Sequence, residues 1–121
     1  MIDYDRQVKL IDFGLSASFS KSKLHTDSCG SPCYAAPEVI DCKQGYNPVL
    51  SDIWSCGVVL FVMLCGYLPF CDSNPALLYQ KIKACKYKLP SFLSGAAKNL
   101  LECLLIAKPS ERLTIAQIKS H

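Results

Sequence analysis

The 121 residues weigh 13.4 kDa, the size of one ordinary domain, and leave room for a single hydrophobic core. Half of them are hydrophobic, 19% are charged and the mean hydropathy is +0.20, which excludes a disordered tail. Thirteen Lys and Arg against ten Asp and Glu give a net charge of +3, too balanced for nucleic acid to be the expected partner.

Met1-Ile2-Asp3, a turn-prone Tyr4-Asp5-Arg6 and the run Gln7 to Ile11 predict a hairpin whose second strand leads directly into Asp12-Phe13-Gly14. From Ser16 to Ser31 there are six serines and no apolar period, which predicts a long exposed loop of the kind that is usually functional or disordered. Pro37 can open a short helix over Glu38-Val39-Ile40, and Tyr46-Asn47-Pro48 reads as the next loop. Ser51 is then the expected N-cap of a central apolar helix, with Asp52 in the first turn, where the helix dipole favours a carboxylate.

Asn74-Pro75 supplies a cap and a first helical position for a helix over Ala76 to Cys85, with Leu78, Ile82 and Cys85 on one face. Lys81, Lys83, Lys86 and Lys88 make its other side basic, a solvated face first and a dock for acidic partners second. A helix from Ser94 carries Ala97, Leu100, Leu101, Leu104 and Leu105 at three- and four-residue spacing and is expected to end at Lys108-Pro109. Thr114 and Gln117 form a capping-box pattern for a last short helix reaching His121.

Two composition signals bear on compartment. The eight cysteines include no C-x-x-C pair, and the only histidines are His25 and His121, so no familiar zinc site fits. With no basic-then-apolar signal segment at the start, the cysteines read as small buried hydrophobes of a reducing compartment, the cytoplasm or nucleus. Ile53 to Cys71 holds 19 uncharged positions, close to the length of a membrane span. Its unbroken apolar part is only Val58 to Cys65, however, and no Lys or Arg flanks it closely, so a buried core helix is expected and a membrane span is not.

Asp12-Phe13-Gly14 alone is a tripeptide that chance can supply. It is followed by Cys29-Gly30-Ser31-Pro32-Cys33-Tyr34-Ala35-Ala36-Pro37-Glu38, with Glu38 26 positions after Asp12. Ser51-Asp52-Ile53-Trp54-Ser55-Cys56-Gly57-Val58, Gly66-Tyr67-Leu68-Pro69-Phe70 and Arg112-Leu113-Thr114 come next. Together these runs resemble the protein kinases, whose signatures include D-F-G and A-P-E. The wording from Cys29 to Glu38 is similar to Ser/Thr kinases of the calmodulin-dependent and AMP-activated-like group.

The resemblance covers essentially the whole chain and implies a mainly α fold, the carboxy-terminal lobe of a kinase. Its parts would be a small β-hairpin, an activation loop, and a helical bundle around a buried apolar helix. Residues 1–121 are then expected to be a partial kinase domain. The glycine-rich loop, the strand lysine, the first lobe's helix glutamate and the catalytic loop would lie upstream of Met1. The implied activity is transfer of the γ-phosphoryl of ATP, with Mg²⁺, to Ser/Thr hydroxyls of protein substrates, under an upstream activating kinase. These residues by themselves are expected to be inactive, and the alternative is a non-catalytic truncated paralogue that binds substrates or regulators.

Residue by residue, the resemblance implies that Asp12 holds Mg²⁺ at the nucleotide phosphates. Phe13 and Gly14 complete that motif, with Phe13 packed against the first lobe to report active or inactive geometry. Ser31 would contact the catalytic base and the substrate, or else be an unpaired loop serine. Pro32 to Tyr34 would shape the pocket beside the acceptor. Glu38 and Arg112, 74 positions apart, would form a buried ion pair. Asp52 would accept hydrogen bonds from the catalytic-loop backbone or serve as a helix-start charge. The branch usually carries its activating threonine where this chain has Asp27, flanked by Thr26 and Ser28. Either the site slips to Thr26, gaining about −1.5 to −2 of charge on phosphorylation, or Asp27 supplies a weaker permanent charge.

Overall fold

The computed structural model describes residues 1–18, 24–26 and 30–121. Its elements are mainly helical: α1 (Pro37–Ile40), α2 (Pro48–Cys65), α3 (Pro75–Lys83), α4 (Gly95–Leu104) and α5 (Ile115–Ser120). Single 3-10 turns occupy Phe13–Leu15, Pro32–Tyr34, Cys42–Gln44 and Pro109–Glu111.

Local chemistry explains most of the helix starts. Pro37, Pro48 and Pro75 stand at the first helical positions, where the missing N–H costs nothing and φ is already helical. The Asn74 side chain accepts from the Ala76 N–H, and the Ser94 side chain accepts from the Ala97 N–H. Thr114 and Gln117 form the full capping box, each side chain reaching the other's backbone N–H.

Several boundaries differ from the sequence reading. The cap of α2 is Asn47, whose Oδ1 accepts from the Val49 N–H at 3.0 Å, and not Ser51. Tyr46-Asn47-Pro48 is therefore a helix start of the same Asn-Pro kind as Asn74-Pro75, and Asp52 lies in the second turn of α2. α3 stops at Lys83, because Cys85 turns the chain out of the helix with φ 48°. α4 stops at Leu104, well before Lys108-Pro109, and Pro109 instead opens the 3-10 turn to Glu111.

The hairpin is shorter than expected. It closes at one antiparallel bridge between Ile2 and Val8, braced by the Lys9 N–H on the Met1 carbonyl. Leu10 and Ile11 are exposed and make no strand pairing, since no third strand lies beside them among the described residues.

The core is built on one face of α2, where Trp54, Val58 and Phe61 are fully buried. Phe70 stacks on Trp54 at 5.5 Å, and Tyr67 and Tyr87 meet Phe61 edge-on. Leu101, Leu104 and Leu105 pack from the α4 side, where Gly57 lets the two segments approach; a Cβ there would sit 2.9 Å from the Leu104 Cβ. Gly66, at φ 79°, ends α2 in the left-handed conformation, its N–H bonded to the Val62 carbonyl. By length and composition alone α2 could cross a membrane, but its Ile53, Trp54, Gly57, Val58 and Phe61 supply the centre of this fold.

The cysteines do not fill the core as the sequence suggested. Of the seven described, Cys56 and Cys71 are exposed and the rest are half-buried. Cys33, Cys65 and Cys85 pack against the edge of the core, while Trp, Phe, Leu and Ile occupy its centre, where each buries more area.

Candidate functional site

Two constructions draw in the residues that the sequence singled out. The first is a guanidinium clasp at Arg112. The whole side chain is buried, and all five of its N–H donors are used. Two go to Glu38 as a bidentate pair, Nη1 to Oε1 at 2.6 Å and Nη2 to Oε2 at 2.7 Å. The others meet the carbonyls of Leu50 at 2.8 Å, Ile106 at 2.8 Å and Ala107 at 3.4 Å. The guanidinium also lies 5.0 Å from the centre of the Trp54 ring. One cation thus ties α1, the start of α2, and the segment after α4 to the central aromatic stack.

The second is a cleft of about 580 Å³ to which Gly14, Ser31, Tyr34, Asp52 and Ser55 all contribute. Ser31 precedes the 3-10 turn Pro32–Tyr34, and its hydroxyl makes no capping bond. The turn is held against α2 by the Ser55 hydroxyl, which donates to the Tyr34 carbonyl at 3.0 Å. Partial burial pushes the Asp52 carboxyl above its ordinary value, and the Cys56 thiol one turn on is pushed up by its own burial and by the Asp52 charge. On the far wall His25 and Tyr46 form an antiparallel bridge with two backbone bonds, fixing the loop that carries Thr26. Thr26 is exposed; Asp27 and Ser28 lie outside the described residues.

Asp12 and Phe13 stand beside the cleft and are not part of its lining. Asp12 is in the left-handed region, φ 62° and ψ 77°, and its Oδ1 accepts from the Gly14 N–H at 3.2 Å. That local bond is why an aspartate tolerates this backbone. Its second oxygen has no partner among the described residues and is open to solvent. Phe13 is also exposed, 69% of its surface. No group of three or more His, Cys, Asp or Glu able to hold a metal ion occurs among the described residues. Asp12 therefore offers a single hard oxygen, which fits a Mg²⁺ held mostly by phosphate oxygens and water.

Sequence reasoning missed Ser55, the His25–Tyr46 bridge and the Leu50, Ile106 and Ala107 carbonyls on Arg112. Ser55 stood inside a quoted motif and could have been asked for a partner. The carbonyls carry no signal in residue type.

This assembly, a central apolar helix with an arginine clasp behind it and a cleft bounded by an Asp-Phe-Gly turn in front, is that of a kinase carboxy-terminal lobe. The protein kinase domain family matches residues 1–121, and the chain belongs to that family. It is 50% identical over 125 residues to CBL-interacting protein kinase 17 of Oryza sativa subsp. japonica, covering 100% of this chain and 27% of the relative. Serine/threonine protein kinase OSK3 of Oryza sativa subsp. indica is 47% identical over 121 residues, covering 100% of this chain and 24% of the relative. CBL-interacting serine/threonine-protein kinase 26 of Arabidopsis thaliana is 48% identical over 122 residues, 98% of this chain and 27% of the relative. The chain spans about a quarter of the length of these curated relatives.

Proposed function

We propose that this chain is the substrate-facing portion of a Ser/Thr protein kinase that transfers the γ-phosphoryl group of ATP to hydroxyls of protein substrates. The observation that supports this most is the convergence of Gly14, Ser31, Tyr34 and Asp52 on one cleft. Phosphoryl transfer asks for positioning and charge stabilisation more than for covalent chemistry, so a shaped, partly polar cleft beside a carboxylate suits it.

In this reading Asp12 gives one oxygen to Mg²⁺, which when bound neutralises charge on the transferring phosphates. The Asp12–Gly14 bond keeps the carboxylate from swinging away. The Ser31 hydroxyl, free of any cap, orients the acceptor at the mouth of the cleft, and the turn Pro32–Tyr34, held by Ser55, shapes the space for the neighbouring substrate residue. Thr26, on the loop anchored by His25 and Tyr46, receives the activating phosphate, or Asp27 stands in for it. Glu38 and Arg112 keep the loop's end fixed. The phosphate cradle and the base come from the part of the domain that the family resemblance puts ahead of these residues.

The test is transfer of labelled γ-phosphate from ATP with Mg²⁺ to Ser/Thr protein acceptors by the natural-length protein. Asp12→Asn is expected to lower the rate roughly 100-fold or more, the scale on which a charge-stabilising group aimed at the transition state acts. An unchanged rate in that variant removes Asp12 from the site. No transfer by the unaltered protein leaves the binding-module reading in its place.

A further inference from the structure

Away from the cleft already described, the chain after α3 makes a second feature. Past the turn at Cys85, residues 86–89 belong to no helix and their burial alternates with the period of a strand, Tyr87 and Leu89 half-buried against the core and Lys86 and Lys88 exposed. Tyr87 is fixed edge-on to Phe61 at 6.1 Å and to Phe70 at 5.6 Å, so the segment is not a loose loop. Yet the backbone N–H and C=O groups of Tyr87, Lys88 and Leu89 make no hydrogen bond among the described residues. A segment with this alternation and unpaired main-chain groups offers an added strand the same free donors and acceptors as a sheet edge does.

Beside this edge lies a cleft of about 480 Å³, lined by Leu77, Lys81, Ala84, Lys86, Tyr87 and Lys88, with Asp72 at one end. Its charge is unbalanced. Lys81 is held by Asp72 at 2.8 Å and by the Cys71 carbonyl at 2.9 Å, while Lys86 and Lys88 have no acidic partner among the described residues. Leu77 is 45% exposed on the cleft wall.

We propose that this cleft docks an extended acidic segment of a protein partner, added as a strand along residues 86–89. Main-chain bonds to Tyr87 and Leu89, whose N–H and C=O groups face one edge of an extended segment, would supply the pairing, as in strand addition generally. Two carboxylates spaced i and i+2 on the partner fall on one side of its strand and meet Lys86 and Lys88. The side chain between them turns to the Tyr87 side, where Leu77 and Ala84 favour an apolar residue. The partner motif is therefore acidic–apolar–acidic. This inference uses neither Asp12 nor the cleft at Asp52, and it stands or falls apart from the phosphoryl-transfer reading.

The experiment is fluorescence anisotropy of a fluorescein-labelled peptide, Gly-Ser-Glu-Leu-Glu-Ser-Gly, against the full chain at low and at physiological salt. The variant Lys86→Glu/Lys88→Glu is expected to weaken binding about tenfold or more, and Lys43→Glu/Lys119→Glu, of equal charge change, to alter it less than about twofold. Lys86→Ala/Lys88→Ala, with its urea midpoint checked against the parent, separates lost docking from lost folding. The peptide N-methylated at its Leu is expected to bind at least about tenfold more weakly, because it can no longer donate that main-chain bond. Absence of binding to the unaltered chain, equal losses for both lysine pairs, or indifference to N-methylation would each overturn the proposal. So would lysine-dependent binding to phosphatidylserine vesicles without binding to the peptide, which would make the surface a lipid contact.

Discussion

Arg112 is the residue on which most segments converge, and its environment leaves no donor unused. Truncating either partner strands a buried charge, so Glu38→Ala or Arg112→Ala is expected to cost ~3–5 kcal/mol by urea denaturation. Arg112→Lys is expected to rescue little of this, since a lysine cannot form the planar fork that reaches Glu38 twice and lies over Trp54. A double variant, Glu38→Gln with Arg112→Met, is expected to cost less than the sum of the single changes, because neither ion is then left alone. Additive losses would mean that the two residues act separately.

Asp52 behaves in the opposite sense. Burial raises its pKa from the ordinary 3.8, so folding disfavours the charged form. The stability linked to this group is fully present below its unfolded pKa and is lost as pH rises through the higher folded pKa. Asp52→Asn is thus expected to be more stable than the parent at pH 7, with the gain shrinking as the pH is lowered toward the ordinary value. A gain that does not change with pH would show that charge is not the cause.

At the scale of elements, the start of α2 is the informative case. Asn47→Ala is expected to cost ~1 kcal/mol, the usual worth of a side-chain cap, while Ser51→Ala stays within about 0.5 kcal/mol. Thermal unfolding of the two variants decides it, and the reverse order would return the helix start to Ser51. The start is legible in Asn47-Pro48, by the same chemistry that makes Asn74-Pro75 legible, but Ser51 with Asp52 beside it offers a second cap pattern closer to the apolar run. The ends of α3 and α4 were not legible. Helix stops at Lys83 and Leu104 answer to the turn at Cys85 and to the Leu105–Arg112 segment folding back beneath α2, and Pro109 marks only the later 3-10 turn.

At the scale of the molecule, α2 and α4 are held together through Gly57. Gly57→Ala would gain helix propensity of about 1 kcal/mol, yet its Cβ would meet Leu104 at 2.9 Å and Leu105 at 3.0 Å. Both contacts come from the packed core, so a net loss of ~1–3 kcal/mol is expected on urea denaturation. A stabilised variant would show that α4 can move without cost. The exposed Leu10, Ile11, Phe13 and Leu15 are the converse case: an apolar run that the described residues do not cover.

The sequence by itself determined the class of fold, the caps at Asn74, Ser94 and Thr114, and the motif runs that mark the kinase family. These signals are carried within one turn of helix or one short stretch of chain, where neighbouring residues dictate geometry. Only the tertiary structure decided that Gly14, Ser31 and Asp52 share a cleft, that three backbone carbonyls complete the Arg112 clasp, and that the main-chain groups of residues 87–89 have no hydrogen bond among the described residues. Those outcomes depend on how α2 packs against α4 and on backbone groups that every residue possesses, so no pattern of side chains along the chain announces them.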